Sequence, residues 1–324
     1  ACASSCSSSR TLGVRRGRTG HGCPVRNLVR FLGDPVALSC AGGVKSARGA
    51  KITRTVDRGP CRAHGPGRRV GHALGCRVGV VPDPLDEGPR VAQQVAILAA
   101  GMGTRLGQPF PKALTPLRDG RTIMGQQLDN VHAVFPDAQV LVVVGFKLEM
   151  ILEAHPRSLY VYNEEFDVTN TSKSLLRALR ATREGGLVWL NGDVVFDPRV
   201  LERLRPHIEA DQSVVAVNTA AVGEEEVKYT VDAEGWVAEL SKQVVGGLGE
   251  SIGINYVAQR DKVALVERLA EVDAQDYFER GIELAIEKDG MRVLPVDISD
   301  LFAVEVDFAE DLERANAHVT DPEA

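Results

Sequence analysis

The stretch Val95 to Leu114, VAILAAGMGTRLGQPFPKAL, constrains this chain more than any other. Val95, Ile97 and Leu98 with Ala96, Ala99 and Ala100 form a short, unbroken apolar run ended by Gly101, the pattern of a central parallel strand buried on both faces. Beyond it the chain must turn sharply. Gly101, Gly103 and Gly107 permit positive φ and let backbone N–H groups approach an anion with no Cβ in the way. Arg105 and Lys112 add fixed positive charge, one as a planar fork and the other as a point charge, both suited to phosphate oxygens. The spacing G-x-G-x-x-x-G is one residue too long for the dinucleotide fingerprint. No Gly-Lys-Ser or Gly-Lys-Thr follows, so the P-loop signature is absent as well. Pro111 keeps the approach to Lys112 extended, which suits a loop wrapped round a triphosphate. For the loop alone, a tight strand-to-helix turn with incidental charges is the competing reading.

Composition divides the chain of 324 residues into two unlike parts. Residues 1–90 hold sixteen basic against five acidic side chains, about +11, so the stated net charge of −6 leaves about −17 on the remainder. All six cysteines, Cys2, Cys6, Cys23, Cys40, Cys61 and Cys76, fall in this first part, with no C-x-x-C pair to suggest a zinc site. Rich in Gly, Ser, Arg and Pro, with little periodicity and no apolar run of membrane length, it is expected to be a largely disordered basic extension. A nucleic-acid-binding arm would want interleaved aromatics, a secretory signal an apolar segment, and a transit peptide fewer Gly and Pro. The favoured expectation is that this part does not belong to the native protein, with Val91 near its true start. Peptides from residues 1–90 in the protein from its source would contradict that. The part from 91 to 324 has no cysteine and no apolar run of spanning length, and is expected to be a cytoplasmic enzyme of one large α/β domain.

Strands and helices alternate from Val95 onward. The order is a strand at Val95 to Ala100, a helix near Thr122 to Phe135, a strand at Val140 to Val144, a helix at Leu148 to His155, a strand at Leu159 to Tyr162, a helix at Ser172 to Thr182, a strand at Leu187 to Leu190 and a helix after Asp197. Such alternation implies a mostly parallel, Rossmann-like sheet with helices on both faces and a ligand at the carboxyl ends of its strands. After Gln212 the pattern changes. Val214 to Val217, Lys228 to Val231, Val237 to Ser241 and Ile252 to Val257 read as strands joined by glycine-containing turns, a small antiparallel addition over the site. Strand Val304 to Val306 and helix Ala309 to Val319 close the chain.

Three further segments carry chemistry. Asn191-Gly192-Asp193 follows the apolar run Leu187-Val188-Trp189-Leu190, which puts the Asp193 carboxylate at a strand's carboxyl end, as a ligand for Mg²⁺ or as the cap of a turn. Glu305 and Asp307 lie two apart at a strand end. Both share one face and suit a second carboxylate for the metal; the alternatives are a solvated strand edge for Glu305 and, for Asp307, the cap of the following helix, a role compatible with the first. The segment Tyr162 to Leu175 ends a strand and opens a helix, so its hydroxyls and N–H groups cluster where a base or ribose could be read, unless Thr171 or Ser172 serves only as an N-cap. His132, His155, His207 and His318 fall on or beside helices and read as structural or surface residues, so no Ser/His/Asp or Cys/His set is evident.

In the segments LAAGMGTRLG with PKAL, YNEEFDVTNTSKSL, NGDVVFDPRVLERL, SIGINYV and DISD followed by EVDFAEDLERA, the chain resembles the nucleotidyltransferase superfamily, and most of all its phosphocholine cytidylyltransferase and sugar-phosphate nucleotidyltransferase branch. The resemblance implies the nucleotide-diphospho-sugar transferase fold. It also implies Mg²⁺-dependent transfer of a nucleotidyl group, with CTP favoured as donor, to a phosphorylated small molecule with release of pyrophosphate. By position, the resemblance implies that Gly101, Gly103, Arg105 and Lys112 hold the triphosphate, that Ala99, Ala100 and Ser174 lie near the base, that Thr104 and Asn163 also belong to the nucleotide-binding set, and that Asp193 and Asp307 are the metal ligands. Arg105, Lys112 and Asp193 are the catalytic set. The partners implied are a nucleoside triphosphate and a phosphorylated acceptor, with neither nucleic acid nor membrane. Two departures stand out. The spacer LGQPFP between Arg105 and Lys112 is short for the branch, and Ala303 and Val304 precede Glu305-x-Asp307 where aromatics are usual. A quaternary ammonium is best held by aromatic faces, which puts choline phosphate in doubt and makes a sugar, cyclitol or aminoalkyl phosphate or phosphonate a rival acceptor. Trp236, Tyr256, Tyr277 and Phe302 are the aromatics available, with Trp189 expected in the core. Lys242 reads either as a contact to the acceptor phosphate or as an exposed hairpin lysine. A glycosyltransferase of similar architecture would want an Asp-x-Asp motif, which Asp193-Val194-Val195 does not provide. A non-catalytic nucleotide-binding domain would not need Lys112, Asp193 and Asp307 together.

Overall fold

The computed structural model describes residues 92–220 and 226–319; the expectations for residues 1–90 lie outside them. The elements in chain order are β1 Gln94–Ala99, α1 Ile123–Val134, β2 Gln139–Val144, α2 Leu148–Ala154, β3 Leu159–Tyr162, α3 Thr171–Ala181, β4 Leu187–Asn191, β5 Val194–Phe196, α4 Arg199–Glu209, β6 Val214–Asn218, β7 Lys228–Val231, β8 Val237–Ser241, β9 Gly249–Val257, α5 Lys262–Glu271, α6 Phe278–Asp289, β10 Leu294–Asp297, β11 Ala303–Glu305 and α7 Ala309–His318. One sheet runs β10-β6-β9-β4-β1-β2-β3, with the β7–β8 hairpin attached to β9. β1 is parallel to β2 and β4, β2 to β3, and β10 to β6, whereas β9 lies antiparallel between β4 and β6. β5 and β11 form a separate antiparallel pair.

The strand period of two builds both cores. Val95 and Ile97 of β1, Val142 and Val144 of β2, and Val188 and Leu190 of β4 face the side covered by α1, α2 and α4. Their neighbours Ala96 and Leu98, Leu141 and Val143, and Leu187 and Trp189 face the side covered by α3, α5 and α6. A strand buried on both faces must read as an unbroken apolar run, which is why β1, β2 and β4 were legible as strands. Trp189 is 1% exposed and meets Phe278 edge-on at 5.5 Å, a core residue as expected.

Several elements depart from the expectation. β6 and β9 belong to the main sheet rather than to an addition over it, and the added antiparallel pieces are β7–β8 and β5–β11. β5, α5, α6 and β10 have no counterpart in the sequence reading. β11 stops at Glu305, so Asp307 lies beyond the strand. The N-cap of α3 is Asn170, whose side chain accepts from Thr171 N–H at 2.8 Å, rather than Thr171 or Ser172. Asp307 does not cap α7. The Asp311 carboxylate accepts from Phe308 N–H at 2.9 Å and from Asp307 N–H at 3.2 Å, which fixes the backbone that carries Asp307.

Candidate active site

A cleft of about 680 Å³ opens where the β1 loop, the β4–β5 turn, the start of β9, the start of α6 and the β11–α7 junction meet. This is the carboxyl edge of β1 and β4, where an open α/β sheet leaves room between diverging connections.

Backbone shape builds its floor. Gly192 in the β4–β5 turn sits so close to β1 that a Cβ there would come within 2.6 Å of the Leu98 carbonyl oxygen, so only glycine lets Asp193 enter the cleft beside β1. Gly103 has φ +58, and a Cβ on it would lie 2.9 Å from Lys112 Cβ. The glycine loop thus folds back onto the stem of Lys112 instead of only framing empty space.

Charge gathers on that floor. Lys112 Nζ donates to Asp193 Oδ2 at 2.9 Å and to Asp307 Oδ1, and Arg105 Nη1 donates to Asp307 Oδ2 at 2.9 Å. Burial alone would lower the Lys112 ammonium, but the Asp193 and Asp307 carboxylates outweigh it and hold the group above its ordinary value. Burial would raise the Asp307 carboxyl, and Lys112 and Arg105 overcome that to keep it low. Arg105 also lies 5.9 Å from the Phe308 ring centroid. Of the two readings of Glu305, the solvated strand edge is not what the structure shows. Its carboxyl lines the cleft, accepts from Asn191 Nδ2 at 3.1 Å, and is pushed well above the carboxylate range by burial and then by Asp193 and Glu226.

The sequence-derived site residues separate into two sets. Ala99, Gly101, Gly103, Arg105, Lys112, Asp193 and Asp307 all line the cleft, though they come from three widely separated segments. Ala100, Asn163 and Ser174 do not. The Ala100 carbonyl accepts from Phe146 N–H at 3.1 Å, and Asn163, 1% exposed, donates to Ser174 Oγ at 3.2 Å and Thr169 Oγ1 at 3.1 Å. These contacts brace the turn ahead of α3 from behind. The Thr104 side chain lies outside the described residues. Of the four aromatics considered for an acceptor cage, Tyr277 alone lines the cleft. Phe302 stacks on His318 at 3.9 Å, Trp236 lies beside Arg292, and Tyr256 donates to Asp211 at 2.9 Å. Lys242 lines the cleft with its ammonium 5.1 Å from the Tyr277 ring centroid.

Glu226, Ser251 and Glu279 also line the cleft, and sequence reasoning missed them. Glu226 closes the run Glu224-Glu225-Glu226, which reads as a solvated charge cluster, and Glu279 has the same spacing as any polar residue on an amphipathic helix. Burial, which sequence does not print, is what sets them apart.

Among the described residues no group of three or more His, Cys, Asp and Glu is arranged to hold a metal by itself. Mg²⁺ asks for less, since it takes one or two protein carboxylates and completes its shell with phosphate oxygens and water. Asp193 and Asp307 meet that need, because they already share one cation, the Lys112 ammonium.

The family model of the MobA-like NTP transferase domain matches residues 95–271, more than half of the chain. The chain belongs to the MobA-like NTP transferase family. The chain is 29% identical over 253 residues to the CMP-5'-(3-aminopropyl)phosphonate synthase of Streptomyces rubellomurinus, covering 72% of this chain and 40% of that one. It is 37% identical over 114 residues to the bifunctional protein GlmU of a Cyanothece strain, covering 34% of this chain and 25% of that protein. The chain therefore spans two fifths or less of the length of these curated relatives. The NTP transferase fold is shared with CTP:phosphocholine cytidylyltransferase from Streptococcus pneumoniae, at TM-score 0.58 and 15% identity over 70% of this chain and 99% of that one. It is shared too with the inositol-1-phosphate CTP transferase of T. maritima, at TM-score 0.55 and 15% identity over 71% and 99%. The family match ends at residue 271, so Glu279, Glu305 and Asp307 lie beyond it.

Proposed function

We propose that the chain transfers a nucleotidyl group from a nucleoside triphosphate, CTP by preference, to a phosphorylated or phosphonylated small molecule, releasing pyrophosphate. The observation that carries this is the Lys112 ammonium held between Asp193 and Asp307 at the mouth of the glycine loop. An anionic acceptor must attack an anionic α-phosphate, so the protein's task is charge neutralisation and in-line positioning. An acceptor oxygen forms the new bond to the α-phosphorus, the bond to the β-phosphate oxygen breaks, and the electron pair leaves with pyrophosphate. The acceptor oxygen is already ionised, which removes any need for a general base or a covalent nucleophile.

Arg105 and Lys112 bind phosphate oxygens from the loop side, and Gly101 and Gly103 let backbone N–H groups reach the same anion. Asp193 and Asp307 would hold Mg²⁺, which supplies further neutralisation of phosphate charge when bound. The CTP preference is supported by the resemblance of the motifs and by the donors printed in the names of two structural neighbours. The Streptomyces relative's name brings phosphonates into the acceptor class. A cytoplasmic setting, where nucleoside triphosphates are made, is part of this reading; among the described residues no helix is long and apolar enough to cross a membrane.

Phosphorus NMR of the chain incubated with CTP, Mg²⁺ and a panel of phosphorylated and phosphonylated acceptors tests the reading. The expected product couples the nucleotide phosphorus to the acceptor phosphorus through one bridging oxygen, with pyrophosphate appearing in equal amount. If every triphosphate and acceptor pair gives free phosphate or nothing, transfer is ruled out.

A further inference from the structure

The end of the cleft away from the glycine loop carries charge that nucleotidyl transfer alone does not explain. Among the described residues, seven carboxylates line the cleft against four cationic side chains, although both substrates are polyanions. Asp193 and Asp307 are already accounted for by Lys112 and Arg105. Glu279 is not. It is 6% exposed, and its Oε2 has no hydrogen-bond partner among the described residues. Glu283, one turn further along α6, shows what a satisfied glutamate on this helix looks like: it accepts from Leu240 N–H at 3.1 Å and from Arg280 at 3.1 Å. Attraction to the α6 N-terminus does not account for the burial of Glu279, since a solvated first-turn glutamate would gain the same attraction without losing its water.

A second orphan lines the same cleft, and it is not acidic. Ser251 on β9 is 6% exposed, lines the cleft, and its Oγ has no partner among the described residues. Its backbone N–H donates to the Val227 carbonyl at 2.8 Å, which places Glu226 beside it in the chain. Buried polar atoms are nearly always hydrogen-bonded. Three residues lining this cleft carry an unpartnered acceptor among the described residues, Glu279, Ser251 and Asn191 Oδ1, and such a set points to a ligand that supplies the missing donors.

We infer that Glu226, Ser251 and Glu279 hold a primary ammonium on the acceptor, which is therefore a zwitterionic aminoalkyl phosphate or phosphonate. This rests on the nucleotidyl-transfer reading and names its acceptor. A primary ammonium offers three N–H donors, enough for two carboxylates and one hydroxyl oxygen. A trimethylammonium offers none and relies on aromatic faces, of which the cleft has, at the start of α6, Tyr277 with Lys242 already over it and Phe278, whose ring is packed edge-on against Trp189. Lys242 stands at the same end as a cation for the acceptor's other pole. One molecule with a positive tail and an anionic head thus satisfies both the excess carboxylates and the lysine.

The test compares 3-aminopropylphosphonate, butylphosphonate, in which a methyl replaces the ammonium, and inositol 1-phosphate. Pyrophosphate release is measured for the full chain and for the Glu279→Gln and Glu226→Gln variants. The expected result is a preference for the amine over its methyl isostere of at least about 30-fold in kcat/KM. Either variant reduces that preference at least tenfold, chiefly through KM for the amine. Equal use of amine and isostere, a preference for the inositol phosphate, or an unchanged ratio in both variants overturns the inference. Thermal melts confirm that the variants are folded. If no acceptor releases pyrophosphate, the transfer reading fails, and calorimetry of the same three compounds with the full chain still decides the ammonium site. Binding of the amine tighter than its isostere, weakened in Glu279→Gln, supports the site; no difference removes it.

Discussion

Lys112 occupies the position from which one positive charge can serve two carboxylates, and the rest of the floor is arranged around it. Asp193 reaches it because Gly192 passes under the Leu98 carbonyl, and Asp307 because Asp311 fixes the backbone that leads into α7. Removing one carboxylate should therefore disrupt chemistry more than folding. Asp193→Asn is expected to lower the rate of pyrophosphate release by about 10²- to 10³-fold while the melting temperature changes little; activity near wild type would remove Asp193 from the site. Gly103→Ala forces a positive φ on a residue with a Cβ and pushes against the Lys112 stem. Its expected cost is about 1–2 kcal/mol of stability, with a roughly 10- to 100-fold slower reaction from the displaced lysine, read by denaturant titration and by the same assay. The members of this floor were legible one by one, since glycine spacing and strand-end carboxylates leave a mark in the sequence. Their mutual pairing was not, because it depends on three segments meeting in space.

Elements were readable where burial imposed a pattern. β1, β2, β3, β4, β7 and β8 were found within a residue or two because apolar runs or alternation bounded by turn residues leave few other options. α5 and α6 were missed, although Leu265, Leu269, Phe278 and Ile282 pack under the sheet. Their helical spacing is diluted by a charged outer face and by the short link Val272 to Tyr277. The start of α6 carries its own test. Burial pushes the Glu279 carboxyl up to about 7, with Glu283 adding to the rise and its own backbone and Lys242 opposing it. An acid whose folded value is raised binds more protons folded than unfolded, so stability falls as pH climbs from the unfolded value near 4.5 toward 7. The full effect is on the order of 3 kcal/mol. The effect of Glu279→Gln on stability should thus be more favourable at pH 8 than at pH 5 by about 2–3 kcal/mol, measured by chemical denaturation at both values. An equal change at the two pH values would mean that the Glu279 charge is not the cause.

At the scale of the molecule, one sheet is shared by two cores on opposite faces, and the cleft lies at the edge where both end. Leu204 of α4 belongs to one core and Leu269 of α5 to the other, and both are fully buried. Leu204→Ala and Leu269→Ala are each expected to cost about 2–4 kcal/mol, and each should shift a single cooperative unfolding transition rather than split it. The parallel half of the sheet was legible from βα alternation, whereas the antiparallel entry of β9 between β4 and β6 was not. Strand order is set by crossovers and leaves no local trace. That entry matters for function, since it brings Ser251 to the cleft and sets Gly253 where a Cβ would meet Asn191 Nδ2 at 2.5 Å and Glu305 Oε1 at 2.6 Å. The most direct measurement of the central claim is pyrophosphate release by the full chain with CTP, Mg²⁺ and an aminoalkyl phosphonate, set beside Asp193→Asn under the same conditions. Release matching acceptor consumed, lost in the variant, is the predicted result; no release from the wild-type chain with any triphosphate and acceptor, or equal release from the variant, would contradict it.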